Sequence, residues 1–130
     1  MKKLYLVVFI VAAVLQLFPI LAHAGYPMIS GIPDQYISVN SSTGVIGFNV
    51  YDDETPADQL KLSYTSDTPT LVPATNANIT LGGSGSERTV KVTPAQNQTG
   101  TATITIIVRD TDNETNQDSF EVEVTRQPKT

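Results

Sequence analysis

The residues best equipped for chemistry form two acidic runs, Asp52-Asp53-Glu54 and Asp110-Thr111-Asp112-Asn113-Glu114. Carboxylates at near or alternate positions, with an amide among them, offer several hard oxygens, the donors a calcium ion takes. Asp52, Asp53, Glu54, Asp110 and Asp112 are therefore the candidate calcium ligands, and calcium is the one cofactor the sequence suggests. Asp, Asn and Thr also bond to their own backbone in turns, so the same runs read as plain loop chemistry. Catalysis has little to stand on. The single histidine, His23, lies in the N-terminal apolar segment, and there is no cysteine. The serines lack a base partner. A pair of carboxylates can cleave a glycosidic bond, but a sugar cleft needs aromatic walls and the chain has no tryptophan. Gly82-Gly83-Ser84-Gly85 has no helix after it to complete a phosphate site. No catalytic residue is assigned, and the chain reads as a non-enzyme.

The segments that must carry these loops begin after an export signal. Met1-Lys2-Lys3 is a basic head, Leu4–Leu21 is apolar apart from Gln16 and Pro19, and Ala22-His23-Ala24 puts small residues before Gly25. That order is a cleavable secretory signal over residues 1–24. Its removal takes two of the eight Lys and Arg and none of the 13 acids, leaving a net charge of −7. Such a surface repels nucleic acid and anionic lipid. With no cysteine, the mature fold must hold by burial alone, without disulfides. No second apolar segment follows, so no stable membrane anchor is expected after cleavage, and the chain reads as secreted or surface-bound, with the periplasm as a further location.

From residue 25 onward the apolar residues alternate in short runs between turn residues. The spacing predicts a lead-in over Gly25–Pro33, an edge strand over Gln35–Val39 and a turn over Asn40–Gly44. Strands follow over Val45–Tyr51 (Ile46, Phe48, Val50 inward) and Gln59–Thr65 (Leu60, Leu62, Tyr64 inward). A short edge strand is expected at Leu71-Val72. Asn78–Leu81 and Glu87–Thr93 should pair around a loop at Gly82–Ser86. Thr101–Arg109 is the longest run, and Ser119–Thr125 closes the domain, with Glu121 and Glu123 read as charges guarding an edge. Ile107 points outward, either under the lead-in or on a contact surface. The expected architecture is all-β: two packed antiparallel sheets of seven to eight strands over residues 25–125, then a polar tail over 126–130.

Longer stretches carry a resemblance. Ile32-Pro33-Asp34-Gln35, Gly47-Phe48-Asn49-Val50, Leu71-Val72-Pro73, Asn78–Gly85 and Arg88–Ile104 are similar to the cadherin-like and immunoglobulin-like modules repeated in large bacterial surface adhesins. The resemblance covers Tyr26–Val124 and implies an immunoglobulin-like sandwich. Its acidic loops are placed like those in which cadherin repeats hold calcium. Val39 stands before Asn40 where those repeats carry an acid, no mid-domain acidic triplet is present, and this chain holds one copy of a module that normally occurs in tandem.

Two functions follow as expectations. The first is a secreted or surface module for adhesion or assembly, joined to a protein partner or to itself through strand edges, with Gly25–Gly31 as the segment that would exchange. The second is a small carbohydrate-binding or accessory domain beside a separate enzyme, with Tyr26, Tyr36 and Tyr51 as its aromatic residues. Asn40, Asn78, Asn97 and Asn113 each open an Asn-x-Ser/Thr triplet, a glycan acceptor in a eukaryotic secretory pathway and otherwise a by-product of Thr-rich turns.

Overall fold

The computed structural model describes residues 25–126. The signal segment over 1–24, and residues 127–130 of the tail, lie outside them.

Eight strands follow in order: β1 (Met28–Ile29), β2 (Gln35–Ser38), β3 (Ile46–Tyr51), β4 (Lys61–Ser66), β5 (Ile79–Ser84), β6 (Glu87–Val92), β7 (Gly100–Arg109) and β8 (Thr115–Thr125). They make two four-stranded sheets, β1-β3-β6-β5 and β2-β8-β7-β4. The two-residue period sets the inward faces. Ile46, Phe48 and Val50 of β3, and Ala102, Ile104, Ile106 and Val108 of β7, all point into the core. Phe120, Val122 and Val124 of β8 meet Ile79, Val90 and Val92 of the other sheet in one buried cluster. A one-residue slip would turn each of these sets to water, which fixes the register.

The structure departs from the expected pattern in four places. β2 runs parallel to β8, with Gln35 opposite Val122 and Ser38 opposite Thr125, so that sheet is mixed. The chain enters in one sheet and crosses to the other through Gly31–Asp34. Ile32 is buried there, its N–H donates to Asp118 Oδ2 at 2.8 Å, and Asp34 Oδ1 accepts from the Glu121 N–H at 2.8 Å. β8 lies between β2 and β7. Glu121 and Glu123 therefore sit on an interior strand, and guard no edge.

β8 also starts at Thr115, four residues before the expected Ser119. Its first residues are polar on both faces, so apolar alternation cannot reveal them. Leu71 and Val72 are buried but form no strand. The flanking Pro69 and Pro73 have no N–H for a ladder, and both the Leu71 and Val72 N–H groups turn back to the Thr68 carbonyl. They plug the core as a turn. The β5–β6 hairpin is tighter than expected, with only Gly85-Ser86 between the strands. Gly85 has φ 58° and Ser86 does not share the positive φ, which matches a type II′ turn.

Candidate functional site

Three features of the surface carry the functional question: the acidic loop pair, the exposed edge at β1, and a polar cleft beside β4.

β3 leaves one sheet into Asp52, and β7 leaves the other into Asp110. The two loops meet, with Thr55 Oγ1 and Thr111 Oγ1 3.0 Å apart and the Thr111 N–H donating to Thr55 Oγ1 at 3.3 Å. Both first acids turn inward as turn acceptors. Asp52 Oδ2 accepts the Thr55 and Glu54 N–H groups at 2.6 and 3.2 Å. Asp110 Oδ1 accepts the Glu114 and Asp112 N–H groups at 2.8 and 2.9 Å. Asp52, Thr55 and Asp110 are buried, while Asp53, Glu54 and Asp112 are exposed. Asp52 Oδ1 and Glu114 Oε2 are buried with no hydrogen-bond partner. Among the described residues no three His, Cys, Asp or Glu side chains gather so as to hold a metal ion. The sequence thus places the loops at one end correctly, and the structure spends Asp52 and Asp110 on holding each loop's own backbone.

Clear of the loops, the remaining Asn-x-Ser/Thr positions are structural. Asn40 and Asn97 both have positive φ, 63° and 62°, a conformation asparagine tolerates. They staple the other end of the sandwich: Asn97 N–H donates to Asn40 Oδ1 at 2.7 Å, and Asn40 Nδ2 donates to Asn97 Oδ1 at 3.1 Å. Asn78 Nδ2 donates to the Thr93 carbonyl at 2.8 Å. Asn113 is exposed at the tip of the β7–β8 turn.

The second feature is apolar. Met28 of β1 lies directly opposite Tyr51 of β3, and Tyr26, two residues earlier, falls on the same side of the strand. All three are exposed, at 57%, 59% and 66%. A shallow cleft of about 260 Å³ runs between Met28, Ile29, Asn49 and Tyr51. Tyr51 donates its hydroxyl to Asp53 Oδ1 at 2.8 Å. That bond, and the nearby Asp53 charge, raise the phenol above its usual 10.0. β1 is an outer strand of its sheet. The lead-in is nonetheless held in place. Pro27 is fully buried, Ser30 N–H donates to the Asn49 carbonyl, and Asn49 N–H donates to Ser30 Oγ. Tyr36, the third candidate aromatic, is 74% exposed on the other sheet, opposite Glu123. The three tyrosines therefore do not form one row. Ile107 is half-buried on the outer face between Ser63 and Gln117, and the lead-in, in the opposite sheet, does not cover it.

The third feature was not visible in the sequence. Lys61 and Arg109 face each other across β4 and β7 at the mouth of a polar cleft. Each looks like an isolated exposed charge until the strand register is known.

No protein-family model and no curated protein sequence matches the chain. Solved structures do. The titin M3 domain matches with a TM-score of 0.55 at 15% identity, over 77% of this chain and 97% of that one. A titin M10 domain, in complex with an Ig domain of obscurin-like 1, matches with a TM-score of 0.57 at 13% identity, over 82% and 100%. The fold is immunoglobulin-like. The N-terminal Ig1-2 module of the Drosophila receptor protein tyrosine phosphatase DLAR gives 0.59 at 11% identity, over 82% of this chain and 52% of that two-domain module. At these identities the likeness carries the sandwich architecture, and the cadherin-like character of the bacterial repeats has no counterpart among these structures.

Proposed function

We propose that this immunoglobulin-like domain is a secreted or cell-surface module that does no catalysis and assembles by contact between copies along the β1 edge. The observation that carries the reading is the patch of Tyr26, Met28 and Tyr51 beside a two-residue outer strand. Three large apolar side chains exposed together on a domain of this charge mark a contact surface. The other aromatic on an outer strand, Tyr36, has polar neighbours in Glu123 and Thr101 and makes no such patch. Two copies related by a two-fold axis would join their β1 strands antiparallel and merge the two patches into one face. The titin M10 structure, an Ig domain bound to another Ig domain, is a precedent for pairing of this fold. Export is supported by the signal-like order of residues 1–24.

Sedimentation velocity over a range of concentrations tests this reading. The mature chain should shift from monomer to dimer as concentration rises, and Met28→Lys should remain monomeric with an unchanged unfolding midpoint. A wild-type chain that stays monomeric throughout, or a Met28→Lys chain that associates equally, contradicts it.

A further inference from the structure

We propose that the cleft between β4 and the β7–β8 turn is a binding site for a carboxylate-bearing saccharide, separate from the β1 edge and independent of what pairs there. The cleft holds about 490 Å³ and is lined by Gln59, Lys61, Ser63, Arg109, Thr111 and Asn113, with Asp110 at its floor. Its volume falls within the range of small-molecule sites.

The charge arrangement is the first argument. Lys61 and Arg109 are direct cross-strand partners, at a separation where like charges repel. Neither side chain has an ion pair or hydrogen bond among the described residues. In a mature chain with 13 acids against six Lys and Arg, carboxylates are abundant, yet none neutralises this pair. Asp110 is 5% exposed, and its Oδ1 is already taken by two loop N–H groups. The cleft therefore presents two unneutralised cations side by side, a geometry that suits one carboxylate.

The rest of the lining decides the ligand class. Two amides (Gln59, Asn113) and two hydroxyls (Ser63, Thr111) surround the cations, and each can both donate and accept, as sugar hydroxyls require. An acidic peptide would want apolar pockets for its neighbouring side chains. An extended nucleic acid would meet the acidic surface beyond the cleft.

Titration calorimetry of the full mature chain, with tetragalacturonate and 3′-sialyllactose as anionic probes, tests the site. Maltotetraose is the neutral control and hexaglutamate the peptide control. At least one anionic sugar should bind saturably, binding should weaken as salt rises, and maltotetraose should not bind. Lys61→Gln and Arg109→Gln should each weaken binding about tenfold or more, the loss expected for one charge-assisted bond. Their thermal midpoints should stay at or above wild type, because the like-charge pair is relieved. Thr80→Lys, on the opposite sheet, should leave binding unchanged. The proposal is overturned if neither anionic sugar binds, if binding survives both Gln variants, or if hexaglutamate binds as tightly as the sugars.

Discussion

Single side chains hold this domain where strands alone do not reach. Arg88 is the strongest case. Its Nε donates to the Gly85 carbonyl at 2.7 Å, and its Nη2 to the carbonyls of Ala57 and Leu60 at 2.8 and 3.1 Å. One guanidinium therefore ties the β5–β6 turn to the segment leading into β4. Arg88→Met leaves those carbonyls without a charged donor and should lower stability by about 2 kcal/mol, read as a lower urea midpoint at unchanged slope. Asp67 makes a similar link at the surface. The Thr103 N–H at 2.8 Å and the Thr68 hydroxyl hold its carboxyl below the ordinary 3.8. A depressed carboxylate stabilises the fold above its unfolded pKa. That contribution is lost as pH falls from about 3.8 through the lower folded value. The wild type should therefore lose more stability than Asp67→Asn between about pH 5 and about pH 2 in paired urea melts. Equal losses would show that these bonds do not favour the charged form.

At the scale of elements, what the sequence revealed and what it hid follow from one fact: apolar alternation reports a buried face and little else. β3, β6, β7 and the second half of β8 each bury a clean apolar set, and their positions were legible to within a residue or two. The first half of β8 is polar on both faces, and Leu71-Val72 is apolar without being a strand, so the same signal failed at both. The crossing of the lead-in rests on Ile32 and on two Asp-to-backbone bonds spanning more than eighty residues, which no local pattern contains. The loop acids were visible as acids. That Asp52 and Asp110 serve their own turns depends on φ, ψ and burial. The Lys61–Arg109 pair exists only through register. Gly83 shows how closely the hairpin is fitted. It has φ 83°, and a Cβ there would lie 2.7 Å from Arg88 Cα. Gly83→Ala should lower stability by about 2 kcal/mol or more in thermal or urea melts, whereas Gly85→Asn at the turn should be milder.

For the whole molecule, charge and apolar contact pull in opposite directions. Each mature copy carries −7, so two copies repel, while the proposed contact at Tyr26, Met28 and Tyr51 is apolar. Salt screens the repulsion and leaves the apolar contact intact. Dimerisation should therefore strengthen from low to moderate ionic strength, and a dimer that dissolves over that range would point to an ionic interface elsewhere. The most direct measurement uses the absence of cysteine. Met28→Cys places one thiol on the β1 edge, and Thr80→Cys places one on exposed β5 at the far side of the same sheet. Under mild oxidation the Met28→Cys chain should form a covalent dimer rapidly while Thr80→Cys stays largely monomeric. Equal dimer yields from both, or none from Met28→Cys, would contradict assembly through the β1 edge.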